Sequence, residues 1–86
     1  MTCRIDRLSI ERGVALRISG RIAREDLEVL RTALEEICVV SIDLAEVELV
    51  DRDAVEFLAL IEANGIALRD CPAYIREWIT RERGRS

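Results

Sequence analysis

Histidine is absent from this chain of 86 residues, as are lysine and glutamine. Histidine is the commonest general base and the commonest transition-metal ligand in proteins, so its absence leaves few routes to acid–base or metal-assisted catalysis. The longest apolar runs are too short to cross a bilayer, and the N-terminal MTCRIDRLSIERG lacks the apolar segment of a secretory signal. We therefore predict a cytoplasmic protein that is not an enzyme, holds no cofactor or metal and does not insert into a membrane.

Cysteine is scarce, and its arrangement argues against two further classes of protein. Cys3, Cys38 and Cys71 are odd in number and far apart, and no CxxC pair occurs. Disulfide frameworks and zinc knuckles have other spacings, so we expect reduced thiols. Cys38 stands between two apolar residues and is predicted to be a small residue of the core.

The charges are numerous but do not favour nucleic acid. All 13 basic residues are arginines, and 17 acidic residues bring the net charge to −4. Because nucleic acids favour clustered, net positive charge, a nucleic-acid partner is not expected. With 50% of its residues hydrophobic, the chain is long enough for one folded domain. We place this domain at residues 1–80, followed by a flexible tail, RERGRS, at 81–86.

The first half of the chain predicts a hairpin and a helix. Residues 3–10 form a strand whose apolar alternation slips, as an edge position or a bulge allows, and Gly13 supplies the turn. Residues 14–22 alternate between apolar and polar positions, with Gly20 where a neighbouring element approaches closely. A helical stripe follows Arg24, and its members are Leu27, Leu30, Leu34 and Ile37.

The second half alternates strands and helices. VVSIDL (39–44) is typical of a short strand covered on both sides. The helix after it ends at Asn64–Gly65, and its buried side is predicted to hold Ala54, Phe57, Leu58 and Ile61. Residues 66–69 predict a further strand, and Pro72 the first position of a last helix. The order ββαβαβα predicts a single small α/β domain with helices packed on a mixed, mostly parallel sheet.

Two stretches of this order resemble the STAS domain, the fold of bacterial anti-sigma-factor antagonists and of the cytoplasmic tails of sulfate transporters. LRISGRI (16–22) is similar to the family's second strand, which ends in a glycine directly before a helix. VSIDLAEVELVDRDAVEFLALIEANGIAL (40–68) is similar to its central block, in which Asp-Ser-Ser-Gly opens a helix. The resemblance spans residues 5–80, and it implies a STAS-like fold with a regulatory, protein-binding function.

The resemblance also implies a switch at residues 51–54, in altered form. In antagonist members, a partner anti-sigma factor that is also a kinase phosphorylates the second serine of Asp-Ser-Ser-Gly. Asp51 keeps the family's aspartate, and Arg52 replaces the first serine. Asp53 replaces the phosphorylated serine, and Ala54 replaces the glycine. An aspartate carries one negative charge where phosphoserine carries about −1.5 to −2, so Asp53 imitates the phosphorylated, partner-released state only weakly.

Several interpretations of the stretch LVDRDAVEF (49–57) stay open. Asp51 is a good N-cap and Asp53 suits the helix dipole, so the turn serves at least to start a helix. It is alternatively a docking surface for an anti-sigma factor, a serine kinase-like protein or another signalling protein. A Mg²⁺ or Ca²⁺ site that includes Asp43 is disfavoured by Arg52. A nucleotide or other small-molecule site is opposed by the two carboxylates at the helix N-terminus. Assembly into a homodimer is also open.

Overall fold

The computed structural model describes residues 3–36 and 38–84, except the side chain of Glu36. Along this part of the chain the elements are β1 (Cys3–Ile10), β2 (Gly13–Ile22), α1 (Leu27–Glu36), β3 (Val39–Val50), α2 (Arg52–Ala63), β4 (Ala67–Arg69) and α3 (Ala73–Arg83). One 3₁₀ turn, Arg24–Asp26, leads directly into α1. In the described ranges, no helix is long and apolar enough to cross a membrane.

The strands form one sheet in the order β1-β2-β3-β4. β1 and β2 pair as an antiparallel hairpin, whereas β2, β3 and β4 run parallel and are joined by crossovers through α1 and α2. The chain is therefore a small α/β domain with a mixed, mostly parallel sheet and three helices along the described residues, which confirms the predicted order of elements. β1 is an edge strand with an unbroken register, so its slipped apolar pattern reflects the edge position and not a bulge.

The hydrophobic core lies between one face of the sheet and the helices. The strands contribute alternate residues of β2 and β3, which are Leu16, Ile18, Ile22, Ile42 and Leu44. The helices contribute the buried residues of all three apolar stripes, among them Leu30, Ala54, Phe57, Leu58, Ile61, Ile75 and Ile79. These residues belong to one contiguous cluster, and Trp78 packs against it. The predicted buried side of α2 is confirmed. The described helices contribute to the core on one face of the sheet, and residues 39–44 of β3 are all buried or half-buried.

β3 is also longer than predicted, with 12 residues that end at Val50 rather than at Leu44. It stays parallel to β2 through register shifts, so that Val47 faces Gly20 and Val50 faces Ile22. Irregularities of this kind interrupt the regular alternation from which a strand is recognised in a sequence. As a consequence, β3 ends beside the end of β2, and residue 51 lies next to the turn that begins α1.

Two local predictions differ from the structure. Cys38 is exposed and not a core residue, because it lies in the connection before β3, where its carbonyl accepts a hydrogen bond from the N–H of Val14 at 2.9 Å. α3 begins one residue after Pro72 and continues to Arg83, so residues 81–83 of the predicted tail belong to this helix. Ile37, the last member of the predicted α1 stripe, and residues 85–86 of the tail lie outside the described residues.

The end of α2 follows the prediction at Asn64–Gly65. Gly65 has a φ of 98°, and its N–H donates to the carbonyl of Glu62 at 3.1 Å. The N–H of Ile66 donates to the carbonyl of Ile61 at 3.2 Å. These two bonds form a Schellman motif, which satisfies carbonyls that the helix would otherwise leave without partners.

Gly13 is expected to tolerate substitution worse than Gly65. Both have positive φ, 147° and 98°, but a Cβ at Gly13 would lie 2.7 Å from the carbonyl oxygen of Cys38, whereas a Cβ at Gly65 meets nothing within 4 Å. We expect Gly13→Ala to lower the free energy of unfolding by about 2–4 kcal/mol and Gly65→Ala by about 1 kcal/mol. Urea-induced unfolding measures both, and equal losses would show that the contact with Cys38 is relieved by small shifts of the backbone.

Candidate functional site

Asp51 lies at the junction of β3 and α2, and both of its carboxylate oxygens accept backbone hydrogen bonds. Oδ1 accepts from the N–H of Ala54, which is buried, at 2.8 Å and so caps α2. Oδ2 accepts from the N–H of Arg24 at 2.8 Å, in the 3₁₀ turn before α1. The N–H of Asp51 itself donates to the carbonyl of Ile22 at 3.2 Å. The predicted N-cap is confirmed. The same side chain also links the start of α2 to the 3₁₀ turn before α1 by hydrogen bonds.

Asp26 likewise accepts a backbone hydrogen bond at the start of the 3₁₀ turn before α1. Ala23 occupies the cap position, and its side chain accepts no hydrogen bond. Instead, the carboxylate of Asp26 accepts from the N–H of Ala23 at 3.0 Å, while the N–H of Asp26 donates to the carbonyl of Ala23 at 2.9 Å. Asp26 is only 5% exposed, so this end of the site is held rigidly by two buried or half-buried carboxylates.

The two charged residues after Asp51 point to separate partners. Arg52 Nε lies 3.3 Å from Glu56 Oε1, one turn further along α2. Asp53 Oδ2 lies 3.9 Å from Arg24 Nε, and the side chain of Asp53 is 50% exposed. The three charges therefore do not converge on one point, as an active-site cluster would. Asp53 remains accessible from solvent.

Asp53 borders an open groove between α1 and α2, with a volume of about 550 Å³. Its apolar floor consists of Leu27, Phe57 and Leu60, of which Leu60 is 60% exposed. Its charged rim consists of Arg24, Glu28, Arg31, Asp53 and Glu56. We call this surface the α1–α2 groove. Both arginines of the rim come from the α1 side, and the rim residues contributed by α2 are acidic.

The groove was not predicted, although one signal for it was present in the sequence. Leu60 lies outside the buried stripe of α2 and adds a large apolar residue on the exposed side of that helix. An exposed leucine alone is ordinary on a protein surface. Leu60 forms part of the groove floor only because α1 lies beside it and supplies the opposite wall.

The acidic residues considered for a metal site have unrelated surroundings. Asp43 lies on the face of the sheet opposite the helices, where Arg17 Nε is 3.6 Å from its Oδ2. Both carboxylate oxygens of Asp51 accept hydrogen bonds from backbone N–H groups. In residues 3–36 and 38–84, no group of three potential ligands is placed to hold a metal ion.

The surroundings of Cys3 and Cys71 do not activate their thiols. Burial raises the pKa of the Cys3 thiol, and the neighbouring Asp26 carboxylate raises it further. Burial likewise raises the pKa of the Cys71 thiol. Because the thiolate is the reactive form, these raised pKa values make both thiols less reactive than an ordinary cysteine. All three cysteines are free.

No protein-family model matches the chain, and no curated protein matches it.

Proposed function

We propose that this chain is a non-enzymatic, cytoplasmic regulatory module that binds another protein, with a STAS-like fold and a partner of the kinase-type anti-sigma factor class or a related signalling class. The α1–α2 groove carries the proposal, because it opens beside Asp53, where antagonist members of the family have their phosphorylated serine. The order of strands and helices supports the same proposal. The docking surface then consists of the groove together with residues 51–54.

The character of the groove favours a helix of a partner protein as its occupant. An apolar floor between charged rims is the usual receptor for an amphipathic helix, whose apolar side fills the groove. Leu60 is the most exposed of the floor residues and would lose the most contact with water on binding. The α1 side of the rim has Arg24 and Arg31 with Glu28 between them, whereas the α2 side, with Asp53 and Glu56, is acidic. The α2 side therefore fits a helix with basic residues along one side.

Because Asp53 imitates the phosphorylated, partner-released state only weakly, we infer binding that phosphorylation at residues 51–54 does not switch, and we call this constitutive binding. Arg24 Nε lies 3.9 Å from the Asp53 carboxylate, close enough to offset part of its charge. No hydroxyl stands at residues 51–54 to accept a phosphate. The module therefore binds its partner without the cycle of phosphorylation that releases the antagonist members of the family.

Replacing Leu60 with aspartate is expected to weaken partner binding by about 30-fold or more, since a charge would enter the apolar centre of the interface. Val29→Asp is the matched control. Val29 is an exposed apolar residue of α1, 46% accessible, that does not line the groove. Fluorescence titration of both variants against the kinase-type anti-sigma factors of the source organism gives the two dissociation constants.

Equal binding by the two variants would contradict the assignment of the groove as the docking surface. The same mixtures incubated with ATP should leave residues 49–57 unmodified in phosphopeptide analysis, and phosphate elsewhere on the chain would contradict constitutive binding. Calorimetry with a panel of nucleotides tests the alternative function. A micromolar dissociation constant for any nucleotide, without binding to the proteins, would favour a small-molecule-binding module.

A further inference from the structure

The sheet face opposite the helices carries a row of alternating charges. Asp6 of β1 faces Arg17 of β2, Arg17 faces Asp43 of β3, and Asp43 faces Arg69 of β4. We call these four residues the charge row. Arg17 and Asp43 form an ion pair within the chain, yet their side chains stay 47% and 22% exposed. Each strand thus contributes one charge, and the sign changes from each strand to the next.

On one side of the charge row the same face is apolar or small. On the other side it carries Arg4, Ser19 and Glu46, and Arg4 Nε lies 3.3 Å from Asp6 Oδ1. The apolar or small row consists of Leu8, Ala15, Ser41 and Ala67. Leu8 and Ile10, both on this face of β1, are 39% and 44% exposed. In the described residues, the buried side chains of every helix belong to the core on the other face. Ser41, in the middle of the apolar or small row, is only 6% exposed, but no described helix packs its buried side chains on this face, so a partly apolar face is left without a covering helix.

We propose that a second copy of this chain covers this face, with the two-fold axis of the dimer parallel to the strands. Such an axis reverses the order of the strands and keeps each row opposite itself. Asp6 then faces Arg69 of the second copy, and Arg17 faces Asp43 of the second copy. All four contacts across the dimer join opposite charges, and Leu8 faces the small Ala67.

The pairing of opposite charges across the dimer requires a two-fold axis parallel to the strands, and it favours a second copy of the chain over a nucleic acid. A two-fold axis perpendicular to the strands and passing through the charge row would place each charge on its own copy, so that like charges would repel. The row has equal numbers of both signs, whereas a nucleic acid requires a net positive surface. Alternation that becomes complementary on reversal is expected of an isologous interface, in which the same patch serves both subunits. Face-to-face packing of two sheets is a common arrangement of such surfaces.

Two single charge reversals, mixed together, test the proposal. In Arg17→Asp, residue 17 would meet Asp43 of the second copy, and in Asp43→Arg, residue 43 would meet Arg17 of the second copy. Each variant alone is therefore expected to have the mass of the 9.8 kDa monomer in sedimentation equilibrium. In an equimolar mixture each reversed residue meets its opposite sign, so the dimer should return. A role confined to the ion pair within one chain predicts no such rescue.

A second pair of variants distinguishes loss of the dimer from loss of folding. Asp6→Arg and Arg69→Asp leave the ion pair between Arg17 and Asp43 intact and should show the same loss and rescue. Arg81→Asp, on an exposed site of α3, is the control that matches Arg69→Asp in its change of net charge, and it should remain dimeric. A wild-type chain that is monomeric at about 1 mM, or a mixture without rescue in both pairs, would overturn the proposal.

Discussion

Replacement of Asp51 by alanine is expected to lower the free energy of unfolding by about 2–3 kcal/mol. Loss of an N-cap costs about 1 kcal/mol, and the second hydrogen bond, from the N–H of Arg24 to a charged acceptor, contributes a similar amount or more. Both N–H groups would be left without their protein partner, at the starts of two helices. In a domain of this size, whose total stability is modest, such a loss is a large share.

Two further variants separate the contributions. Asp51→Asn keeps one carbonyl oxygen, which can accept from Ala54 or from Arg24 but not from both at their present geometry, so about half of the loss is expected. Asp53→Ala is the control, because its ion pair with Arg24 is long and exposed and should change stability by less than about 0.5 kcal/mol. Urea-induced unfolding followed by circular dichroism provides the values. A loss for Asp51→Ala no larger than for Asp53→Ala would show that the double acceptor is not important for stability.

The contrast between the two hydrogen bonds of Asp51 shows what the sequence could predict. The cap on Ala54 is a local interaction between residues three positions apart, and residue types alone predict it. The bond from Arg24 joins residues 27 positions apart, and it exists only because β3 continues to Val50 beside the end of β2. The length of β3 was underestimated, so the joining of two helix starts could not be predicted.

The same distinction applies to the larger surfaces. The order of elements and the buried side of α2 follow from periodicity, which is a property of each segment alone. The α1–α2 groove and the charge row depend on which segments become neighbours, and no periodicity within one helix or strand carries that information. Cys38 was assigned to the core because its two neighbours in sequence are apolar. Its exposure follows from the path of the connection before β3, where backbone hydrogen bonding with Val14 sets the position of the chain.

The contact between α2 and α3 is a further long-range feature, in which one carboxylate of α2 accepts hydrogen bonds from two arginines of α3. Glu62 accepts two hydrogen bonds from the guanidinium of Arg76, both at 2.7 Å, and one from Arg83 at 2.9 Å. Its side chain is only 18% exposed. Hydrogen bonds from Arg76 lower the pKa of Glu62, against the opposing effect of burial, and Arg83 lowers it further. Arg83 makes this contact from the segment that the sequence assigned to a flexible tail.

Replacing Glu62 with glutamine is expected to lower the free energy of unfolding at pH 7 by about 2 kcal/mol, since the partly buried guanidinium of Arg76 loses its charged partner. The effect should depend on pH. Because the pKa of Glu62 is lower in the folded than in the unfolded protein, its stabilisation is complete above the ordinary carboxyl pKa of 4.5 and is lost as the pH falls through the lowered value. The difference between the wild-type chain and Glu62→Gln should therefore shrink towards zero on acidification.

Thermal unfolding of both proteins between neutral and acidic pH measures this difference. Glu77→Gln is the matched control, because Glu77 pairs with Arg81 at 3.2 Å on the surface of α3 and both side chains are 71% exposed. An exposed pair of this kind contributes about 0–1 kcal/mol, so the control should differ little from the wild-type chain at any pH. A loss in Glu62→Gln that persists unchanged in acid would mean that the glutamine disturbs packing between α2 and α3, and that the charge of Glu62 is not what stabilises their contact.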